Sequence, residues 1–167
     1  DLSLRPNQIL ACSLDFTMLD TEKSRAVVEL VRQEFLTPYG LRTLARSDPR
    51  YKSIYNGIMR VRDQAYHNGA VWPWLLGPFI TGYLKAWGTT GQNLEYAMKT
   101  FLQVLFEHQI YEGGLGTINE IFDGDPPHKP RGCIAQAWSV GEPLRTYIED
   151  ILQIRPKYEK DVLRFSV

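Results

Sequence analysis

Apolar residues recur at intervals of three and four along five stretches of the chain, a spacing that places them on one face of a helix. In one stretch Val27, Leu30 and Val31 share a face, and the residues between them are polar. Another stretch, 71–87, is apolar almost all round, as expected of a helix enclosed by others. The pattern predicts helices over residues 6–18, 21–36, 71–87, 91–111 and 134–152.

The connections between these helices alternate in length. Two have only two or three residues, whereas 37–70 and 112–133 are long. If successive helices run antiparallel, both long loops emerge at the same end of the bundle. Apart from a short ribbon near 117–122, no β-hairpin pattern stands out. The sequence therefore predicts an all-α fold of about six helices in antiparallel hairpins, forming a single domain over residues 1–167.

Composition narrows the possible partners. Nineteen basic residues balance nineteen acidic ones, so no overall field attracts the chain to nucleic acid or to an anionic membrane. The longest apolar stretch is interrupted by proline and glycine and is too short to cross a bilayer. Without a leader-like start, we expect a cytoplasmic protein. Cys12 and Cys133 are too few for a disulfide framework, and we expect both to be reduced and buried.

The first long loop ends in side chains suited to sugars. Tyr66, His67 and Asn68 come just before Trp72 and Trp74 at the start of the enclosed helix. Aromatic rings offer stacking surfaces, and a helix N-terminus offers free N–H groups, so the segment suggests a monosaccharide pocket. From spacing alone an alternative stays open, in which the tryptophans pack the core and His67 only fastens the loop.

The second long loop carries three carboxylates within six residues, Glu120, Asp123 and Asp125. Hydrolysis of a glycosidic bond needs one carboxyl group as acid and another as base or nucleophile, so the loop is a candidate catalytic segment. Two alternatives stay open: a divalent-cation site that includes His128, and a solvated loop with no chemical role. Because the calcium-loop pattern is incomplete, we expect neither a metal nor a cofactor.

Several strings, taken in order, resemble the C-terminal catalytic region of glycogen debranching enzymes, the amylo-α-1,6-glucosidase family. They are RPNQ at 5–8, LTPYGLRTL at 36–44, YHNGAVWPW at 66–74, EIFDG at 120–124 and QAWS at 136–139. The resemblance covers about residues 5–147. It implies the C-terminal half of an (α/α)6 toroid, hydrolysis of α-1,6-glucosidic branch points of glycogen or related glucans, and inversion at the anomeric carbon.

The resemblance also implies roles for particular residues. It assigns the general base to Glu120, with Asp123 as the second choice, and it places the general acid upstream of this chain. Tyr66, His67, Trp72 and Trp74 would form a wall that contacts sugar, while Gln136 and Trp138 would support the base. Arg42 and Arg62 would contact hydroxyls or orient loop carboxylates, unless they form ion pairs with Asp48 and Asp63.

The expected partners are α-glucan oligosaccharides and the upstream half of the same enzyme. Without that half the chain is expected to be inactive, and exposed apolar faces on the helices at 71–87 and 134–150 would favour self-association. A different class of function also stays open, a non-catalytic module that binds glucan or serves in assembly.

Overall fold

Helices make up most of this computed structural model, which describes residues 2–159 and 162–166. A 3₁₀ turn at Pro6–Ile9 leads into the short helix α1, and another at Pro73–Leu75 leads into α4. The helices are α1 (Leu10–Ser13), α2 (Thr21–Phe35), α3 (Met59–Tyr66), α4 (Leu76–Trp87), α5 (Gly91–Ala97), α6 (Gln103–Tyr111) and α7 (Ala137–Arg145). A π-helical segment, Met98–Leu102, joins α5 to α6, and a second one, Thr146–Ile151, extends α7.

The helix boundaries follow local chemistry. The Asp20 carboxylate accepts the Lys23 backbone N–H at 2.8 Å and so caps α2. The predicted first helix is too long, because the backbone is extended at Leu14 and the carbonyl oxygens of Ser13 and Leu14 bind the Lys85 ammonium. The predicted helix at 71–87 begins late, because Pro73 disfavours helical geometry at Trp72.

The prediction of an all-α fold is wrong, because the two long loops pair as a sheet. Five short antiparallel strands lie in chain order: β1 (Leu36–Thr37), β2 (Gly40–Arg42), β3 (Val71–Trp72), β4 (Ile121–Phe122) and β5 (Pro130–Arg131). Leu41 pairs with Trp72, and Val71 pairs with Phe122. The central strand β3 therefore joins the first long loop to the second, as expected if both loops share one end of the helices.

A second sheet lies near the C-terminus. Its strands, β6 (Arg155–Glu159) and β7 (Val162–Ser166), pair antiparallel. The predicted domain also includes residues 1, 160, 161 and 167, which lie outside the described residues. Among the described residues, no helix is long and apolar enough to cross a membrane.

The hydrophobic core surrounds α4. Phe79 and Ile80 are fully buried, and the helix packs against both α1 and α2. The expectation that α4 exposes an apolar face is therefore wrong. The apolar face of α7 and its π-helical extension is exposed, since Leu144 is 50% and Ile148 38% exposed.

The two cysteines differ in burial. Cys12 is buried between α1 and α2, but Cys133 is exposed, contrary to prediction. Both are free thiols, and Cys133 lies two residues after the end of strand β5.

Candidate active site

A β-hairpin presents Glu120. Strands β4 and β5 pair through Ile121 with Arg131, and the ladder continues where the Glu120 N–H donates to the Cys133 carbonyl at 2.9 Å. Gly132 lies between the pairs with φ at +67°, a backbone region that glycine adopts without strain. An added Cβ there would lie 2.9 Å from the Glu120 Cβ and closer still to its carboxylate. The missing side chain of Gly132 therefore leaves room for the Glu120 side chain.

The Glu120 carboxylate is half-buried and accepts several hydrogen bonds. One oxygen accepts the Tyr66 hydroxyl and, at 3.5 Å, the Gln136 amide. The other accepts the Cys133 backbone N–H at 3.0 Å. Burial alone would raise the pKa of Glu120, but the bonds from Tyr66 and Cys133 outweigh it and hold the pKa below its usual value. Glu120 is therefore ionised at neutral pH, as a general base must be.

Tyr66 is the last residue of α3 and keeps its proton. Burial raises the pKa of Tyr66, and the neighbouring Glu120 carboxylate raises it further, so the phenol remains a donor. The Trp72 indole N–H fixes the end of the helix by donating to the Tyr66 carbonyl at 2.9 Å. The place of Tyr66 in a sugar-contacting wall stays a prediction, and in the structure its hydroxyl donates to Glu120.

Aromatic rings next to Tyr66 line a cavity. His67 stacks on Trp72 with ring centroids 5.6 Å apart, and Trp74 stacks on Trp138 at 5.4 Å. Trp72 also meets Trp138 edge-on at 5.6 Å. The cavity has a volume of about 160 Å³ and is lined by Asn7, Thr43, His67, Trp72, Trp74, Leu75 and Trp138. Trp138, which is predicted to support the base, lies in the lining of this cavity and is 48% exposed.

Asp123 occupies a different environment from Glu120. Its carboxylate is only 8% exposed and forms an ion pair with Arg131, with a closest approach of 2.9 Å. The Tyr55 backbone N–H donates to it as well, at 2.9 Å. The Asp123 carboxylate is thus buried against a cation, whereas the Glu120 carboxylate is half-buried, its described partners are neutral, and it adjoins the aromatic wall through Tyr66. This contrast favours Glu120 over Asp123 as the base.

The residues weighed as a metal site have other partners. The Asp125 carboxylate lies 2.6 Å from Arg46 and accepts the Tyr51 hydroxyl at 3.1 Å. Burial opposes ionisation of Asp125, but these contacts outweigh it and lower its pKa. The His128 imidazole bonds the Asp123 carbonyl at 2.9 Å, and burial lowers the pKa of His128. Within the described part of the chain, no three His, Cys, Asp or Glu residues are grouped to hold a metal ion.

Arg42 and Arg62, the two arginines considered for sugar contact, bind other protein groups in the structure. Arg42 is buried and donates to the Gly124 carbonyl at 2.7 Å, so it anchors the second loop, and Asp48 pairs with Arg50 instead. Arg62 lies 3.8 Å from Asp63, and its guanidinium carbon is 5.6 Å from the centre of the Tyr55 ring.

Sequence reasoning missed other residues that shape the site. Arg5 binds the carbonyls of Thr43 and His67, at 3.0 and 2.6 Å, and so connects the N-terminal segment to both ends of the first loop. Arg131 and Gly132 act on the carboxylates through the hairpin. A proline-rich run between an aspartate and an arginine hints at such a hairpin. Arg5 belongs to the RPNQ string at 5–8, but the residue type alone does not show that it binds the first loop.

Glu120 reaches the cavity through Tyr66, whose ring packs against His67 and Trp72 in the cavity lining. A half-buried carboxylate next to aromatic rings that line a cavity is typical of carbohydrate-active proteins. A family model described as amylo-alpha-1,6-glucosidase matches residues 1–145, and the chain belongs to this family. The chain is also 26% identical over 117 residues to the glycogen debranching enzyme of Saccharomyces cerevisiae. That match covers 66% of this chain but only 8% of the yeast protein, so the chain spans a small part of this relative's length.

Proposed function

We propose that this chain supplies the base and part of the sugar pocket of an enzyme that hydrolyses α-1,6-glucosidic branch points of glycogen or related glucans. The observation that carries the proposal is the Glu120 carboxylate, kept ionised by Tyr66 and Cys133 beside the aromatic wall. Membership of the amylo-alpha-1,6-glucosidase family supports the choice of bond.

In the proposed reaction, Glu120 removes a proton from water while the water oxygen forms a bond to the anomeric carbon. The bond from that carbon to the O6 atom of the neighbouring glucose breaks, and a carboxylic acid protonates this oxygen. We propose that the acid comes from a part of the enzyme outside these 167 residues. Water attacks the anomeric carbon from the face opposite the departing O6 oxygen, so an α-linked substrate releases β-glucose.

The aromatic wall would hold the glucose ring. Trp72 ends strand β3 and Trp74 lies in the 3₁₀ turn that leads into α4. Trp138 comes from α7 and His67 follows α3, so the pocket depends on both the sheet and the helices. Tyr66 and Gln136 would hold Glu120 rather than the sugar. No cofactor takes part in the proposed reaction.

We propose further that the helices form part of an (α/α)6 toroid and that residues 1–167 belong to one domain of a cytoplasmic enzyme. The packing of α4 against both α1 and α2 around a shared core supports this arrangement. Helices from the rest of the enzyme would then cover the exposed face of α7. In the isolated chain the same face would favour self-association, which sedimentation at increasing concentration can detect.

Glucose release from branched limit dextrin by the full-length enzyme tests the proposal. Glu120→Gln keeps the shape of the side chain but cannot accept the water proton, so we expect loss of activity with unchanged folding. Glu107→Gln is the matched control, because Glu107 is an exposed glutamate on α6 that bonds only Gln103 among the contacts described here. Wild-type turnover in Glu120→Gln would overturn the assignment.

The alternative function, a non-catalytic module that binds glucan, predicts no loss of activity in Glu120→Gln. Calorimetry of the 167-residue chain with maltooligosaccharides would then show binding, and Glu120→Gln in the full-length enzyme would leave hydrolysis intact. Hydrolysis by the 167-residue chain alone would instead show that the acid lies within it.

A further inference from the structure

The Asp123 carboxylate is ion-paired and only 8% exposed. Arg131 approaches it with two nitrogens, Nε at 3.1 and 3.0 Å from the two oxygens and Nη2 at 2.9 Å from one of them. The Tyr55 backbone N–H supplies another bond at 2.9 Å. Burying a charged pair in this way costs desolvation that good geometry only offsets, so such a pair is weak evidence for stability alone. We therefore consider a functional role for the Asp123–Arg131 ion pair.

Tyr55 connects this pair to the base. It lies in a segment without regular secondary structure, so its position depends on bonds such as the one to Asp123. The Tyr55 ring packs against the Tyr66 ring with centroids 5.6 Å apart, and Arg62 lies over the Tyr55 ring. Tyr66 in turn donates its hydroxyl proton to Glu120. Each step is a direct contact from Arg131 to the carboxylate of the base.

We infer that Asp123, held by Arg131, is a positioning residue that fixes Glu120 through Tyr55 and Tyr66. The inference rests on the proposed role of Glu120 and adds a function for the second carboxylate of the loop. A pair that merely ties the hairpin to the 51–55 segment would affect stability, but it would leave the ionisation of Glu120 as it is.

The pH profile distinguishes these roles. The titratable groups that face Glu120 are the Tyr66 phenol and the Cys133 thiol. Asp123→Asn removes the charge that holds Arg131 and loosens Tyr55, so Tyr66 should donate less well to Glu120. A carboxylate that loses a donor ionises at higher pH, so the acid limb of kcat/KM should move to higher pH. We expect kcat to fall more than KM rises, because the base acts in the chemical step.

The experiment compares Asp123→Asn, Tyr66→Phe and the double variant in the full-length enzyme. Since both changes act through the same hydroxyl, the double variant should shift the acid limb no further than Tyr66→Phe alone. Asp125→Asn is the matched control, because Asp125 lies in the same loop as Asp123 and forms its own ion pair with Arg46. Asp125 has no described contact with Tyr55 or Tyr66. We expect no shift in this control.

If Asp123→Asn does not fold, Tyr55→Leu interrupts the same route and keeps the ion pair and the backbone N–H. It should move the acid limb in the same direction. An unmoved limb in Asp123→Asn or Tyr55→Leu, with a moved limb in Tyr66→Phe, would overturn the inference, and so would fully additive shifts. Activity that survives Glu120→Gln would instead identify the proposed function as the point of failure.

Discussion

Replacing Gly132 by alanine displaces Glu120 without touching its chemistry. The new Cβ would lie 2.9 Å from the Glu120 Cβ and nearer still to a carboxylate oxygen. Since Glu120 is tied to Tyr66 and to the Cys133 N–H, it cannot rotate away without losing those bonds. The substitution therefore forces the carboxylate out of its observed position.

The size of the effect follows from the geometry. To regain an ordinary contact of 3.4 Å, the Glu120 Cβ must retreat by about 0.5 Å and its carboxylate oxygen by about 1 Å. Misplacing a reacting group by about 1 Å costs on the order of 10²-fold in rate. The alanine also adopts a left-handed backbone at φ +67°, which costs roughly 1–2 kcal/mol of stability.

Gly116→Ala separates the two effects. Gly116 lies in the same long loop with φ at +76°, and an added Cβ there would meet nothing within 4 Å. Both variants carry the cost of a left-handed alanine, so Gly132→Ala should lose at least as much stability in urea unfolding as Gly116→Ala. Only Gly132→Ala should lose about 10²-fold in glucose release from branched dextrin. Equal activities of the two variants would refute the claim that Gly132 makes room for Glu120.

Three further changes test other parts of the site and core. Because the pKa of Glu120 is lowered, its stabilising effect is present above its usual pKa and is lost as pH falls through the folded value. Tyr66→Phe should therefore lower the free energy of unfolding more at neutral pH than in acid, and an equal urea-measured loss would contradict this. Trp138→Ala should weaken maltooligosaccharide binding in calorimetry of the full-length enzyme with little loss of stability, whereas unchanged affinity would remove Trp138 from the wall. Phe79→Ala should cost about 3–5 kcal/mol in urea unfolding because Phe79 is fully buried, and a loss below about 1 kcal/mol would contradict its place in the core.

The helices that sequence predicted best are those with a clear apolar stripe. Helix α2 ends one residue from its predicted limit, and the predicted interior of α4 is buried. Helix α3 was missed because only Ala65 among its residues is buried, so it carries no apolar stripe. The strands of the five-stranded sheet have two or three residues each, too few to show an alternating pattern.

The site, like the fold, could be predicted only in part from the sequence. The carboxylate loop and the aromatic segment were recognisable from residue types, and the structure brings Tyr66 and Glu120 together across 54 residues. The resemblance ranked Glu120 before Asp123, but the residue types alone did not show which carboxylate is buried in an ion pair, because the two are three residues apart and chemically alike. Only the hairpin, which turns Asp123 towards Arg131 and Glu120 towards Tyr66, distinguishes them.

Azide rescue of Glu120→Ala in the full-length enzyme tests the role of the base most directly. The small side chain leaves space for an anion, which can attack the anomeric carbon without help from a base. We expect almost no hydrolysis without azide, and with azide we expect restored turnover that yields β-glucosyl azide from the α-linked substrate. Hydrolysis by Glu120→Ala at the wild-type rate without azide would contradict the assignment of Glu120 as the base.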